Sequence, residues 1–463
     1  MTEQLKLKLN DSKATRWGAL VIVAFTMMAA YYVNDVVAPL KTMLETDLAW
    51  SSTDFGFFTG GYSFLNVFFL MLIWGGLILD RFGIRFTGKL ATILMVGGTA
   101  LEYYAMTGLA GADATLFGIN EIFGYKTGVF VAFAGYSIFG VGAEVAGITV
   151  AKIIAKWFKG KELATAMGVQ VALARIGSQA GYAVAIPLAR AFGISTPVLL
   201  GLVLLLGGMI AFFIFAVMDK KLDKQMEAAA IAAGTEDEEE KFSFKDVKNI
   251  LVNPGFWLIA LLCVLFYSCV FPFQKFASEL MIIKYGINEN VAGTFAGLPA
   301  LGALILTPVF GGFIDKRGKS ASIMLLGSAM LICVHFIYAI PDINYWLVAI
   351  VLMIILGIAF SLVPSAMWPA VAKIFPVSQL GTAYALIFFI QNIGLWGIPT
   401  LIGWVLDAYC ISGKKPDGTN MYDYTVPMCI FTGIACLSLI VALLLKKADK
   451  KYGYKLEEPN IQK

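Results

Sequence analysis

The sequence predicts an all-α polytopic membrane protein in which twelve transmembrane helices form two pseudo-symmetric six-helix bundles. Three observations carry this prediction. Of the 463 residues, 59% are apolar and only 14% are charged, whereas soluble domains contain about 25% charged residues. Apolar segments of about 20 residues, the length that crosses a bilayer, recur along the chain. A loop motif also occurs at the same position in each half, as expected for two related bundles.

The candidate spans are separated by one long polar stretch, residues 219–250, which contains the acidic run Glu236–Glu240. Such a composition is typical of a solvated linker. We therefore divide the chain into an N-terminal bundle (1–218), a linker (219–250) and a C-terminal bundle with a tail (251–463). The predicted spans are residues 17–40, 55–79, 89–109, 128–155, 163–192, 194–218, 255–280, 291–314, 320–340, 345–372, 379–406 and 425–446.

Lysine and arginine are distributed unevenly between the two sides of the predicted membrane. With the N-terminus in the cytoplasm, 27 of the 35 basic residues are cytoplasmic and 7 are on the other side. Loops on the cytoplasmic side carry an excess of these residues, so both termini and the linker are predicted to be cytoplasmic. The lipid bilayer, and not nucleic acid, is the expected partner of these flanking charges.

The repeated loop has the pattern G-x-x-x-D-[RK]-x-G and follows the second and eighth spans. Glycine permits a tight turn, and the aspartate can pair with a nearby arginine or cap a helix start. Two copies favour a gate between the bundles over a solvated cluster of loop charges. The predicted gating residues are Gly76, Asp80, Arg81, Gly83 and Arg85 in the first copy and Asp315, Lys316 and Gly318 in the second.

Two ionisable residues lie deep inside neighbouring spans, Glu144 in the fourth and Arg175 in the fifth. Each is 15.5 positions from the middle of the joining turn, and equal spacing in an antiparallel hairpin means equal depth. A charge near the membrane centre is costly and marks a candidate functional site. The two residues either lock the helices together as an ion pair, or bind a ligand, or do each in turn.

Further polar residues are candidates for a cavity lining. Tyr62 and Asn66 share one face of the second span, although hydrogen bonding between helices is an equal alternative. Asp35, late in the first span, would contact a ligand amine or gate the outer mouth, or else cap a helix or face solvent. At least one of Gln391 and Asn392, in the eleventh span, should face the pore.

Three other polar residues are expected to have structural roles. Glu102 is interpreted as an outer-side helix contact. Lys275 could attract a carboxylate but is expected to snorkel to the interface, and His335 is expected to make a satisfied helix contact and not a proton relay.

Several activities lack their sequence signatures. The chain has no phosphate-binding G-x-x-x-x-G-K-[ST] loop, G-x-S-x-G elbow or H-E-x-x-H pair, which argues against ATP-driven transport and against an enzyme. One histidine cannot form a histidine metal cluster, and the six cysteines show no metal-ligand spacing. No metal or cofactor is expected.

The loop Gly76–Arg85, its second-half copy and the six-plus-six layout resemble the signature of the major facilitator superfamily. The resemblance covers the whole chain. It implies two six-helix bundles, a central cavity between them and alternating access by rocking.

Longer blocks are similar to the lysosomal dipeptide transporter subfamily of that superfamily. They are FGVGAE and KWFKGKELATAMGVQVALARIGS in the fourth and fifth spans, VFPF in the seventh, and AMWPAVA, QLGTAYA and IQNIG in the tenth and eleventh. The resemblance implies that Glu144, Arg175 and Trp368 bind the peptide and that the protein is a dipeptide uniporter.

The sequence also departs from the animal members of that subfamily. The first-copy loop is one residue shorter, no acidic dileucine signal is evident, and the N-glycosylation triplet Asn10-Asp11-Ser12 lies in the arm predicted to be cytoplasmic. These departures favour a bacterial relative in the cytoplasmic membrane. We expect a monomer or weak dimer without an accessory glycoprotein.

A dipeptide zwitterion needs an anion for its amine and a planar donor for its carboxylate. Arginine supplies the donor fork that matches a carboxylate. We therefore predict that Arg175 holds the carboxylate, that Glu144 holds the amine, and that Trp368 and Tyr62 wall the side-chain pockets. The alternatives are a proton-coupled symporter of dipeptides or of another small zwitterion or organic anion, and a membrane receptor that transports nothing.

Overall fold

The computed structural model describes residues 8–111, 114–158, 161–233 and 244–459, which form fifteen α-helices and two β-hairpins. The helices are α1 (Lys13–Val36), α2 (Lys41–Asp47), α3 (Ser52–Phe68), α4 (Met71–Thr107), α5 (Thr127–Phe158), α6 (Leu163–Phe192), α7 (Thr196–Ala233), α8 (Phe244–Val252), α9 (Pro254–Tyr285), α10 (Glu289–Ala296), α11 (Leu298–Arg317), α12 (Ser320–Ala339), α13 (Trp346–Ile374), α14 (Val377–Tyr409) and α15 (Thr425–Tyr452). The antiparallel hairpins pair β1 (Glu121–Ile122) with β2 (Tyr125–Lys126) and β3 (Ile411–Lys414) with β4 (Asn420–Tyr422).

The helices make twelve passes in two six-helix bundles, as predicted. Within the described ranges, nine spans are long and apolar enough to cross a membrane, and the bent pair α3–α4 forms a further candidate. Gly83 interrupts α4 with φ +74°, a conformation that glycine adopts readily. The chain reverses there, so α4 contributes the end of the second pass and all of the third. Helix α6, which carries Arg175, is the remaining pass.

Three helices differ from the predicted spans. The second pass bends by 58° between α3 and α4, where Leu70 has φ +54°, and no proline or glycine marks this bend. The eighth pass is interrupted at Gly297, between α10 and α11. Helix α7 continues past the predicted boundary at residue 218 as far as Ala233. The acidic run Glu236–Glu240 lies outside the described residues.

The two ends of the molecule can be told apart by the chain termini. The backbone NH of Leu9 donates to Gln225 near the end of α7, and Tyr454 donates to Asn253 just before α9. Both termini and both ends of the linker therefore lie at one end, which we call the termini side. The opposite end, which carries α2 and the two β-hairpins, is the far side.

On the far side the two bundles are in close contact. A β-carbon added to Gly403 of α14 would lie 2.3 Å from the carbonyl oxygen of Ser52 and 3.0 Å from the Cα atom of Gly56 of α3. Small residues allow helix backbones to approach this closely. The second and eleventh passes are therefore packed backbone to backbone at this end.

Buried charges also join the bundles on the far side. Lys41 donates to Glu45 at 2.6 Å and to Glu279 of α9, and Tyr424 donates to Glu279 as well. Lys415 lies 3.6 Å from both carboxylates. None of the four charged side chains is more than 15% exposed. We call Lys41, Glu45, Glu279, Lys415 and Tyr424 the far-side seal.

On the termini side, Ala151 of α5 and Val171 of α6 line the space between the bundles and are exposed. This space is therefore closed on the far side and open toward the termini.

We expect Gly403→Val to keep the far side from closing, because the new side chain would overlap the backbone of α3. The reporter is Ser52→Cys, at a site that is fully buried in this conformation. Its labelling by a membrane-impermeant maleimide should rise several-fold when Gly403→Val is added.

The matched control is Gly397→Val on the same helix, where no described atom lies within 4 Å of an added β-carbon. Equal labelling in the two variants would show that the contact between α3 and α14 does not close the far side.

Candidate functional site

A cavity of about 520 Å³ lies between the two bundles. Its volume is within the range of about 300–1,000 Å³ that is usual for small-molecule sites. The cavity opens toward the termini, where the lining residues Ala151 and Val171 are exposed. Its polar and aromatic lining residues are Tyr31, Asn34, Thr59, Tyr62, Ser63, Tyr136, Glu144, Arg175, Tyr267, Phe271, Lys275, Trp368, Phe388 and Gln391.

Glu144 and Arg175 both line this cavity, but they do not pair with each other. The described residues include no salt bridge between them within 4.0 Å. Instead, the Tyr62 hydroxyl donates to Glu144 at 3.0 Å. The expected depth match between the two residues therefore brings them to one cavity without making a structural ion pair.

Two aromatic rings contact the Arg175 guanidinium. Its central carbon lies 4.9 Å from the ring centroid of Phe360 and 5.6 Å from that of Tyr31. Such cation–π contacts stabilise a buried cation but leave its donor groups free. The Nε atom is buried and has no hydrogen-bond partner among the described residues. Arg175 therefore presents an uncompensated positive charge to the cavity.

The C-terminal bundle contributes an aromatic wall. Trp368 stacks on Phe388 with ring centroids 4.7 Å apart, and its indole NH donates to the Tyr267 hydroxyl at 3.3 Å. Tyr384 donates to the Trp368 carbonyl at 3.0 Å. The stacking and the indole hydrogen bond hold the ring in one orientation, so that this side of the cavity presents flat apolar surfaces.

An ion pair between the bundles lies at the far-side end of the cavity. Lys275 of α9 lies 3.3 Å from Asp35 of α1 and donates to the Asn34 carbonyl at 2.6 Å. Ser178 also donates to Asp35, at 2.6 Å. The expectation that Lys275 would snorkel is therefore wrong, because its ammonium finds buried oxygen partners on the facing bundle. Asp35 lies beside the cavity and not in its lining.

Besides Asp35, two predicted site residues lie outside the cavity lining. Asn66 is buried, and its amide has no hydrogen-bond partner among the described residues. It is about 40° around the helix and about 6 Å along it from Tyr62, which does line the cavity. Asn392 donates to the Phe388 carbonyl, whereas Gln391 lines the cavity. Adjacent helix positions differ by about 100°, which places the two side chains in different surroundings.

The hairpin of α5 and α6 is anchored at its turn. Arg16 of α1 pairs with Glu162 at 2.7 Å, and Lys161 pairs with Asp11 at 2.9 Å. The hydrogen bond from Lys161 holds the pKa of Asp11 below its usual value. The N-terminal arm thereby helps to position the two helices that carry Glu144 and Arg175.

In the first copy of the loop motif, Arg85 contacts a buried carboxylate, whereas Asp80 lies at the surface. Arg85 pairs with Asp219 at 3.3 Å and with Asp223, both on α7. Asp219 also accepts from Lys156 and from the Trp157 indole. Asp80 is exposed and makes an ion pair, at 3.0 Å, with Lys152.

The other first-copy residues differ in their surroundings. Gly83 forms the turn, whereas no described atom lies within 4 Å of a β-carbon added to Gly76. Close helix approach therefore does not explain Gly76. Arg81 is exposed and lies over the ring of Phe82.

The second copy of the motif contacts the C-terminal tail. Gly318 has φ +71°, and a β-carbon on it would lie 2.5 Å from the Glu457 carbonyl oxygen. The tail continues this contact through backbone hydrogen bonds to Lys319 and Ser320. Asp315 is partly buried and Lys316 is exposed. The tail contact could not be read from the loop itself.

Sequence reasoning missed several lining tyrosines. Tyr31 lines the cavity and contacts Arg175, and Tyr136 donates to the Asn34 carbonyl at 2.8 Å. Tyr31 is four residues before Asp35, so it shares that face of α1. This spacing was the available signal; nothing comparable marked Tyr136 among the apolar residues of α5.

Comparison with known proteins identifies the family. The model of the Major Facilitator Superfamily matches residues 20–399, with a second match at 276–458. The chain belongs to the major facilitator superfamily. It is therefore a membrane transporter and not an enzyme.

Among its relatives is the lysosomal dipeptide transporter MFSD1 of Homo sapiens. The two are 29% identical over 454 residues, which cover 95% of this chain and 88% of MFSD1. Among solved structures, the nucleoside transporter NupG aligns with a TM-score of 0.68 at 12% identity, over 92% of this chain and 98% of NupG. A peptide transporter, POT, aligns with a TM-score of 0.66 at 14% identity, over 95% and 94% of the two chains. These structures share the fold of this superfamily member.

The contacts of Arg85 lead to a prediction about stability. We expect Asp219→Asn to lower the free energy of unfolding by about 2 kcal/mol, because the buried carboxylate loses its charge-assisted hydrogen bonds, whereas the more exposed Asp223 still pairs with Arg85 and Lys156. Thermal unfolding in detergent would measure this.

The control is Asp80→Asn, whose exposed ion pair should contribute less than about 1 kcal/mol. A larger loss in Asp80→Asn than in Asp219→Asn would contradict this assignment of the motif contacts.

Proposed function

We propose that this transporter moves dipeptides by alternating access and works as a uniporter. One observation supports the substrate most directly. The cavity holds a carboxylate and a guanidinium that are not paired with each other, so that each is available to a ligand of opposite charge. The relative named as a dipeptide transporter aligns over most of this chain.

The chemistry of the cavity suits the two ends of a dipeptide. Arg175 would bind the C-terminal carboxylate through its planar donor fork. Glu144, oriented by Tyr62, would accept the N-terminal amine. Trp368 and Phe388 would face the substrate side chains, and flat apolar surfaces tolerate many of them. Gln391 adds an amide at the same wall.

Alternating access agrees with the arrangement of the bundles. The far-side seal and the pair of Asp35 with Lys275 join the bundles on one side, and the cavity opens on the other. The excess of basic residues around the termini supports a cytoplasmic termini side. In that orientation this conformation opens inward. We propose the bacterial cytoplasmic membrane as its location, on the sequence features that differ from the animal transporters.

Thermal stabilisation by dipeptides tests the proposed site. A panel of dipeptides should raise the melting temperature of the wild-type protein, whereas Glu144→Gln and Arg175→Ala should each abolish the effect. Each variant lacks the partner for one end of the zwitterion.

Arg317→Ala is the control, because Arg317 is exposed at the end of α11 and does not line the cavity, so its replacement should leave the dipeptide effect intact. Stabilisation by free amino acids or dicarboxylates, without stabilisation by dipeptides, would contradict the proposal that the substrate is a dipeptide. Dipeptide stabilisation that persists in both cavity variants would instead refute the proposed roles of Glu144 and Arg175.

A transport assay separates uniport from proton symport. In proteoliposomes, dipeptide should equilibrate across the membrane at the same final level with and without an imposed pH gradient. Accumulation above the external concentration when the gradient is imposed would show symport. Vesicles that contain Arg175→Ala should show no specific flux, whereas a receptor that transports nothing would make wild type and variant identical.

A further inference from the structure

Glu102 is a buried acid that the proposed substrate site does not use. It lies on α4, one turn before the far-side end of that helix, and its side chain is completely buried. Neither carboxylate oxygen has a hydrogen-bond partner among the described residues. The interpretation of Glu102 as a simple helix contact does not explain this environment, because buried polar atoms are nearly always paired.

An ionised carboxylate in this position would be strongly unfavourable. Moving an isolated charge out of water costs far more than protonating it, so such a group takes up a proton. The same holds for acids inside transmembrane helices that have no partner. In this conformation Glu102 is therefore neutral.

The groups that face Glu102 come from both bundles. Helix α5 packs against the Glu102 backbone at Gly135, and the next residue, Tyr136, contacts Lys275 of α9 through its hydroxyl. Helix α1 contributes Asp35, which lies 3.3 Å from the same lysine. Helices α7 and α14 have no ionisable residue over 196–217 and 385–406, and α3 carries Asp54 and Tyr62. Lys275 is thus the nearby cation.

Lys275 is also a contact between the bundles. Its ammonium reaches Asp35 and the Asn34 carbonyl on α1, and the Tyr136 hydroxyl at 3.4 Å. With Glu102 neutral, one lysine balances one aspartate. If Glu102 lost its proton, one buried cation would face two carboxylates, and one negative charge would be uncompensated.

We propose that Glu102 is a proton-binding site whose occupancy controls the opening of the far side. The proposal rests on alternating access, as put forward above, but not on the identity of the substrate. Loss of the proton draws Lys275 away from Asp35 and leaves excess buried charge. Separation of the bundles on the far side relieves this by admitting water to the carboxylates.

The direction of the pH effect follows from linkage. The closed far side binds the Glu102 proton more tightly than the open, hydrated state does. Acidic conditions therefore favour the conformation described here, and alkaline conditions favour far-side opening.

The test uses the Ser52→Cys reporter in proteoliposomes with the same pH on both sides. Because maleimide reacts faster as the pH rises, its labelling is normalised to Asp47→Cys, an exposed position at the same end. Normalised labelling should increase several-fold from mildly acidic to mildly alkaline pH. When Glu102→Gln, which resembles the protonated acid, is combined with the Ser52→Cys reporter, labelling should stay low throughout that range.

Two further variants complete the test. Glu121→Gln, at an exposed far-side carboxylate on β1, should retain the wild-type pH dependence. Glu102→Leu serves if the glutamine variant fails to fold, and it should also be independent of pH. A wild-type profile that does not change with pH, or a Glu102 variant that keeps the wild-type slope, would overturn the proposal. Dipeptide stabilisation should persist in Glu102→Gln, so failure of the proton site is distinguishable from failure of the substrate site.

Discussion

The cost of burying charge between the bundles is the constraint on which this structure depends. Lys41 is surrounded by two carboxylates, and one of them, Glu279, belongs to the other bundle. Those charges are compensated while the bundles are together, and water must replace the lost partners if they separate. Ion pairs between bundles are therefore compatible with an interface that opens, because each partner can be solvated on separation. A purely apolar contact would expose its apolar surface to water when the bundles separate, which is unfavourable.

The same constraint distinguishes the cavity from the seal. Around the seal each charge has an opposite charge nearby, whereas Arg175 has aromatic rings and Glu144 has a tyrosine hydroxyl. The uncompensated charges thus occur where a solute can enter. Lys275 belongs to both environments, because it lines the cavity and also joins the bundles through its ion pair with Asp35. The cavity lining and the contact between the bundles share this residue, which gives a physical route for coupling between the proposed substrate site and far-side closure.

The termini side shows that related loops can have different tertiary roles. In the first copy of the motif, Arg85 joins the loop to α7 through buried Asp219. In the second copy, Gly318 permits the C-terminal tail to lie against the loop. The shared glycine and charge pattern preserves the turn, while the partner of each loop depends on what the rest of its bundle places beside it. This is why the motif predicted the turn at Gly83 well and the partner of Asp80 poorly.

Much of this architecture follows from the sequence by itself. The length of the apolar segments determined the twelve passes, because the bilayer leaves few alternatives for a backbone that must satisfy its own hydrogen bonds. Equal spacing from one turn placed Glu144 and Arg175 in the same region. Only the tertiary structure decided that they do not pair, that Asn66 and Asn392 lie outside the cavity lining, and that Lys275 is buried against Asp35. Helix periodicity gives the direction of a side chain around its own axis, whereas its partner depends on how the other bundle is oriented, and no local pattern contains that information.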